Sequence, residues 1–430
     1  MKIAQLTPGS GDNFYCENCL RDVSLVRALR KPGNEVLMIP MYLPLSEDGA
    51  DKTSNGPVFF GGINVYLQQK MDFFRKTPRW LDRIFDSEAF LRWAGKKAGM
   101  TSARLLGETT ISMLQGRHGR QNKELDRLVE WMSAVENRPD IVCLSNILLS
   151  GLAGPIKKRL GVPVVCLLQD EDGFLDGLGK PYAQQAWELV RECAGQVDGF
   201  IAVSKYFAGV MRDRLGLGAE KVHVVYAGVS MEGHKGLRLV PEAPTIGYLS
   251  RMCSDRGLDV LVDAFVLIKK DSRFADARLK ITGGRTKSDE PFIRQIEDRL
   301  KSEGMIEDVE FATSHDRESR VSFLQGLTVL SVPEKRPVAC GLYAIEALAA
   351  GVPVVEPETG VFCEIAQETQ GCVLYAPNNA ETLAKTLIGL LADRERLQRL
   401  GQTGREAVAE RFDIEKTAER MLGVFGRIAG

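Results

Sequence analysis

Apolar residues gather along the 430-residue chain in short runs, separated by stretches with helical spacing. The runs Lys2–Leu6, Glu35–Pro40, Asp140–Leu144, Pro163–Leu168, Gly199–Val203 and Lys221–Tyr226 are nearly continuous in apolar side chains. Strands buried on both faces have this look, because helices cover both sides of a parallel sheet. Helices are predicted between them at Leu20–Arg30, Gly151–Leu160, Ala183–Ala194 and Tyr206–Leu215. The pattern then restarts, with strands predicted at Pro244–Leu249, Arg278–Thr282, Asp308–Ala312, Leu327–Val332, Val352–Val355 and Cys372–Tyr375. Helices alternate with them at Leu258–Lys269, Pro291–Glu303, Arg317–Gln325, Leu342–Ala350 and Glu381–Leu391. Between the two series, Ser230–Ala243 carries Gly233, Gly236 and Pro241, a composition that suits a linker. The expected fold class is α/β, with two Rossmann-like, doubly wound parallel-sheet domains in tandem. Domain boundaries fall at 1–229, 230–243 (linker) and 244–411, with a final stretch 412–430. Such sheets bind ligands beyond the carboxyl ends of their strands, so a cleft between two facing domains is the default site.

One segment breaks the alternation. From about Met71 into the 130s the pattern suggests a helical insertion, about 71–135. Phe73, Phe74, Trp80, Phe85, Phe90 and Trp93 interleave there with Arg75, Lys76, Arg79, Arg83, Arg92, Lys96 and Lys97. One reading is an amphipathic helical surface over 71–104 lying on an anionic membrane, as a peripheral contact, or on an amphiphilic acceptor. The other is a helical excursion that packs its aromatics on the core. Asp72, Asp82, Asp86 and Glu88 dilute the charge and weigh toward the second.

Composition narrows the function classes. Hydrophobic residues are 44% and charged residues 26% of the chain, which excludes disorder and fibrous architectures. Lys+Arg (56) and Asp+Glu (57) nearly cancel, so no basic field exists to hold nucleic acid. The nine cysteines are odd in number and mostly scattered, unlike a disulfide framework. The first residues show no h-region of signal-peptide length, and no apolar run reaches 18 residues. The expectation is a reducing, cytoplasmic protein, with no reading of oligomeric state.

Several stretches could carry chemistry. The loop Thr7-Pro8-Gly9-Ser10-Gly11-Asp12 follows the first strand, and its glycines would let a ligand approach the backbone. A dinucleotide fingerprint would need a third glycine and an acid after the second strand, which runs instead into Pro40-Met41-Tyr42. A nicotinamide oxidoreductase therefore loses support. Cys16-Glu17-Asn18-Cys19 lacks a second ligand pair for zinc, leaving a redox dithiol or simple packing at a helix entry. Asp170-Glu171-Asp172 resembles a metal-binding cluster, but three acids in a loop more often make a solvated turn or a cap. No metal site is expected.

Arg251 and Arg256 follow a strand, and Gly257 opens the next helix. Planar, permanently charged guanidinium groups beside a helix start make an anion site, unless they pair on the surface with Asp255 or Asp259. The most informative stretch runs from Cys340 to Val355 as loop, helix, glycine stop and strand. Backbone N–H groups at Gly341 and Leu342 would point at an anion. Glu346 lies a turn and a half inside, and its side chain leans back toward the helix start, where it could accept bonds from sugar hydroxyls. A carboxylate on an otherwise apolar helix of small residues rarely serves packing.

These residues resemble the GT-B glycosyltransferases of the large retaining group called family 4, also known as glycosyl transferases group 1. The resemblance runs over nearly the whole chain: Gly9–Gly11, the strand ending Gly-Tyr-Leu-Ser-Arg251 with Arg256-Gly257, Gly283-Gly284, Gly341–Pro353, Gly360 with Glu364, and a last helix over Asp413–Ile428. It implies transfer of a sugar, with retention, from a nucleoside diphosphate sugar to a glycan or lipid-linked acceptor. No cofactor or metal is implied. Arg251 and Arg256 would neutralise the leaving diphosphate, and Gly284, Cys340, Gly341 and Leu342 would line the donor site. Glu346 would hold the ribose. The acceptor would meet Gly9, Gly11, Asp12, Gln169 and Asp170 on the N-terminal domain, to which the last helix would return.

The chain departs from that pattern in places. Val338 stands where relatives carry a second carboxylate, and Cys340 where they carry Phe. Gln169 replaces a histidine, and Ala227-Gly228 replaces Asn-Gly. Glu334 is close in sequence to the missing carboxylate. These departures keep a second reading open, a catalytically degenerate nucleotide-binding or scaffold protein with the same fold.

Overall fold

The computed structural model describes residues 1–8, 17–31, 33–41, 103–234, 240–312 and 317–430. They form two compact units. The first comprises Met1–Val225 together with Ala418–Gly430, and the second comprises Tyr226–Thr417.

In the first unit six parallel strands are described: β1 (Lys2–Thr7), β2 (Glu35–Pro40), β3 (Ile141–Leu144), β4 (Val164–Leu168), β5 (Gly199–Ala202) and β6 (Val222–Val224). Their order is β2-β1-β3-β4-β5-β6. Inner strands β3, β4 and β5 are buried throughout, as their uninterrupted apolar runs require. Helices α1 (Glu17–Arg30), α2 (Ala103–Leu114), α3 (Asn122–Ser133), α4 (Ala153–Leu160), α5 (Glu171–Gly177), α6 (Tyr182–Ala194) and α7 (Lys205–Leu215) belong to this unit. Helices α2 and α3 fall within the predicted insertion, of which 71–102 lies outside the described residues. The body of the last helix, Ile414–Ala429, also belongs here. Its Ile428 packs on β5, where a Cβ on Gly199 would lie 2.5 Å from the Ile428 Cδ1.

The second unit repeats the plan with β7 (Thr245–Leu249), β8 (Arg278–Thr282), β9 (Val309–Phe311), β10 (Val329–Leu330), β11 (Val354–Pro357) and β12 (Cys372–Tyr375). The order β12-β11-β10-β7-β8-β9 reverses direction between β7 and β10. Such a reversal opens a crevice beyond the carboxyl ends of the two strands, because their following helices leave toward opposite faces. The helices are α8 (Leu258–Lys269), α9 (Glu290–Ser302), α10 (Arg317–Gln325), α11 (Leu342–Ala349), α12 (Val361–Thr369), α13 (Ala380–Leu391) and α14 (Arg394–Arg411).

Two differences from the sequence pattern have clear physical causes. The predicted strand Leu327–Val332 shortens to Val329–Leu330. The Val332 N–H turns instead to the buried Glu356 carboxylate, at 3.3 Å. The apolar pattern also picks out no helix over Arg394–Arg411, where Gly401 and Gly404 interrupt it. Those glycines allow close packing. A Cβ at Gly401 would lie 2.2 Å from the Gly351 carbonyl, and one at Gly404 would lie 2.6 Å from Leu348.

Candidate active site

In the second unit, the loop after β7 carries both arginines. Tyr248, fully buried in the strand, donates its hydroxyl to the Arg251 carbonyl at 2.8 Å and so closes that loop. Arg251 grips Asp289 with two bonds, Nε to Oδ2 at 3.0 Å and Nη2 to Oδ1 at 2.9 Å. Burial pushes the Asp289 carboxyl up, but hydrogen bonds from Arg251 and Thr286 outweigh it and hold the group below its ordinary value. Gly283 and Gly284 lie flat against the same loop. Gly284 accepts from the Met252 N–H at 2.9 Å, and a Cβ on Gly283 would sit 1.9 Å from the Ser250 carbonyl.

Arg256 closes a short 3-10 turn, Ser254–Arg256, and Gly257 follows in the left-handed region at φ 68°. A Cβ on Gly257 would lie 1.9 Å from the Pro333 carbonyl, so this turn packs directly on the loop after β10. From that loop Glu334 accepts a bond from Arg256 Nη1 at 2.7 Å and another from the Tyr343 hydroxyl at 3.2 Å. Glu334 is 2% exposed. Below it, burial and the nearby Glu334 push the Glu356 carboxyl well above its ordinary value.

Helix α11 starts at Gly341, which adopts φ 61° as its N-cap. The Gly341 and Leu342 N–H groups make no hydrogen bond among the described residues. Cys340 is half-buried and Leu342 buried at this turn. Glu346 is the one polar side chain of the Ala344–Ala349 stretch, and Arg320 of α10 donates to its Oε1 at 2.6 Å.

In the first unit, Gln169 ends β4 and is buried. Its side-chain amide donates to the Ser145 carbonyl and, at 3.4 Å, to Asp22. Thr7, at the end of β1, donates to the same Asp22 at 2.9 Å, and the Arg21 guanidinium stands 3.9 Å away. Burial raises the Asp22 carboxyl above its ordinary value against the opposing pull of Arg21. Asp170 sits at the α5 N-cap with φ 88°, an uncommon conformation for a side chain of this kind. Glu171 points inward and accepts from the Gln169 N–H at 2.6 Å and the Ile147 N–H at 3.2 Å. Burial pushes its pKa to about 7.

Residues 232–407 match the family model "Glycosyl transferases group 1", and residues 109–232 match "Glycosyltransferase Family 4". The group 1 match thus falls within the second unit. Among curated proteins, D-inositol 3-phosphate glycosyltransferase of Jonesia denitrificans is 26% identical over 221 residues, 48% of this chain and 52% of that protein. Phosphatidyl-myo-inositol mannosyltransferase of Mycobacterium leprae is 25% identical over 248 residues, 56% of this chain and 62% of that protein. The chain thus spans about half the length of the curated relatives it matches. Among solved structures, sucrose-phosphate synthase of Thermosynechococcus elongatus superposes with a TM-score of 0.71 at 17% identity, over 100% of this chain and 99% of that one. Anabaena HepE in complex with UDP-glucose superposes at 0.67 and 14% identity, over 99% of this chain and 100% of that one. The fold is GT-B.

Within the second unit the arginines find other partners than Asp255 and Asp259. Arg251 takes Asp289, Arg256 takes Glu334, and Lys335 takes Asp259 at 2.7 Å. Val338 is buried and pinned by the Val361 N–H, at 3.1 Å to its carbonyl, so no polar side chain replaces the absent carboxylate there. Glu334 is committed to Arg256 and Tyr343. Asp170, Glu171 and Asp172 open helix α5, as a cap would, but only Glu171 turns inward: it is 5% exposed and ties two loops together, while the flanking aspartates are half-buried. Gly9, Gly11 and Asp12, the Cys16–Cys19 side chains, and the aromatic-cationic stretch over 71–102 lie outside the described residues. Among the described residues no three His, Cys, Asp or Glu side chains gather as for a metal, and no helix is long and apolar enough to cross a membrane. Asp289, Arg320 and Asp22 escape sequence reasoning because each meets its site partner only through the fold.

Proposed function

We propose that this protein is a retaining glycosyltransferase that moves a sugar from a nucleoside diphosphate sugar to a glycan or glycolipid acceptor. The carrying observation is the carboxyl end of the second sheet. Beyond the reversal between β7 and β10, two arginines, two unengaged helix-start amides and Glu346 gather inside residues that match the group 1 model. Arg251, Arg256 and the α11 start would receive the diphosphate, with Gly283-Gly284 and Cys340 lining its approach. Glu346 would accept from the ribose hydroxyls. In the transfer, the acceptor oxygen bonds to the anomeric carbon as the bond to the diphosphate breaks. The diphosphate leaves with the electron pair and takes up the acceptor's proton. Charge developing on that leaving group is where fixed cations act most strongly, so the arginines would serve in place of a metal ion. The acceptor would meet the first unit near Gly9, Gly11, Asp12, Gln169 and Asp170. Several relatives are named for transfer to inositol-containing acceptors, which supports a polyol or lipid-linked acceptor.

A second reading is favoured by one observation, the apolar burial of Val338 where a sugar-contacting carboxylate is expected. It is a nucleotide-binding protein of the same fold that transfers nothing. A thermal-shift panel of UDP, GDP, ADP and their sugars, with and without Mg²⁺, tests both readings. Ligand at 100-fold its dissociation constant adds about 2.7 kcal/mol, or several degrees. The transferase reading expects a shift with one nucleotide, unchanged by Mg²⁺, and release of that nucleotide from its sugar donor. A shift without any donor turnover selects the second reading. No shift with any nucleotide removes both.

A further inference from the structure

We propose that Arg320 is a positioning residue that fixes the orientation of Glu346 for the donor ribose. The proposal rests on the reading of Glu346 as the ribose acceptor given above.

The pair is short and sheltered. Arg320 Nη2 lies 2.6 Å from Glu346 Oε1, and the two side chains are 15% and 14% exposed. A charge-assisted bond of that length is among the stronger side-chain contacts and strongly directional. It anchors one carboxylate oxygen, so the group cannot spin about its last torsion without losing the bond. The second oxygen, Oε2, has no partner among the described residues and is left for a ligand hydroxyl. Nothing else on α11 could steer the carboxylate, because its neighbours Tyr343, Ala344, Ile345, Ala347 and Leu348 are buried and point into the core.

The helix that carries Arg320 is itself anchored. Helix α10 also carries Arg317, which donates to the Ser230 hydroxyl at 2.7 Å and to the Glu232 carbonyl at 2.9 Å. Arg317, Arg405 and Arg320 all face the buried His234. Burial and those three cations hold His234 down at about 4, so at neutral pH it brings no positive charge to draw Glu346 away from Arg320. The role is therefore indirect. Arg320 acts on the ribose through Glu346 and needs no contact with the phosphates.

The test separates that role from direct phosphate contact. Calorimetric titration of the full chain uses UDP, GDP and ADP, each against its 2′,3′-dideoxy form, on wild type, Glu346→Gln, Arg320→Gln, Arg320→Lys and the Arg320→Gln/Glu346→Gln double variant. Arg320→Gln is expected to weaken the ribonucleotide about tenfold, the scale of a lost charged hydrogen bond, and to leave the dideoxy form nearly unchanged. The double variant should bind no more weakly than Glu346→Gln alone, because the two residues act as one unit. Arg320→Lys keeps a donor and a charge and should fall in between. If Arg320→Gln does not fold, the ribose-dependent loss in Arg320→Lys decides. Equal weakening of both nucleotide forms, or no weakening, overturns the proposal. If Glu346→Gln itself fails to distinguish the two forms, the ribose reading falls, whatever Arg320 does.

Discussion

Both units gather carboxyl groups at the carboxyl ends of their strands, yet they hold them by different means. In the second unit Asp289, Glu334 and Glu346 each receive an arginine, at 2.9, 2.7 and 2.6 Å. In the first unit Asp22 and Glu171 are held chiefly by neutral donors: a threonine, a glutamine side chain and two backbone N–H groups. The consequence is electrical. Paired carboxylates hold the arginines in place, giving an ordered array of guanidinium groups suited to a diphosphate. Carboxyls held by neutral donors in a buried site drift upward instead, and Glu171 reaches about 7. Glu356 shows the second unit using the neutral device too, but one layer below the site. Fixed charge thus lies at the proposed donor site and proton-responsive groups at the proposed acceptor side.

The largest expected effect breaks the fixed-charge side at its turn. Gly257→Ala must place a side chain in a left-handed conformation and drive a Cβ to 1.9 Å from the Pro333 carbonyl. The loop after β10 has to move, and Glu334 moves with it. A loss of about 4 kcal/mol is expected, combining backbone strain with overpacking. Nucleotide binding should vanish even where the fold survives at low temperature. Chemical denaturation followed by circular dichroism, with calorimetric titration, measures both.

Next comes the contrast between the two arginines. Arg256→Ala strands Glu334, 2% exposed, beside the buried Glu356, and should cost about 3 kcal/mol. Arg251→Ala leaves Asp289, 7% exposed, with the Thr286 N–H and hydroxyl as remaining donors, and should cost about 1–2 kcal/mol. Both should weaken nucleotide binding by about 30-fold or more. Adding Glu334→Gln to Arg256→Ala should recover most of the lost stability and none of the binding. Recovery of binding as well would mean that Arg256 only neutralises Glu334 and never meets a phosphate.

These pairs mark what the sequence could and could not convey. Strand and helix runs such as Arg278–Thr282, Cys372–Tyr375 and Leu258–Lys269 have the same bounds in the structure, because burial on both faces or along one face writes itself into local composition. Arg251, Arg256 and Glu346 stand out for the same local reason, polar groups at strand ends or on an apolar helix. Their partners do not. Asp289 and Arg320 lie 38 and 26 residues away, on elements whose own pattern reads as ordinary solvated surface, and Glu334, 78 residues from Arg256, stands out only for its closeness to the missing carboxylate. Glu171 was legible as an acid in a turn, but its inward direction is set by Ile147, 24 residues upstream.

A smaller effect than the loss of Arg256 tests the proton-responsive side, and its sign is fixed by burial. The Glu171 pKa rises from an ordinary 4.5 to about 7 on folding, so the folded chain holds a proton that the unfolded chain has released. That contribution is full below pH 4.5 and is lost as the pH climbs through 7. Between pH 5.5 and 8 the loss comes to about 2 kcal/mol. Glu171→Gln carries no titrating group, so its stability relative to wild type should improve by about that amount over the same range. Asp22, also raised, is present in both proteins and cancels. The readout is selective, because residues 226–417 hold no tryptophan and Trp131 and Trp187 belong to the first unit, whose unfolding their fluorescence follows. A difference that stays flat with pH would mean that water or a nearby cation keeps Glu171 ionised, and the contrast between the units would then rest on Asp22 alone.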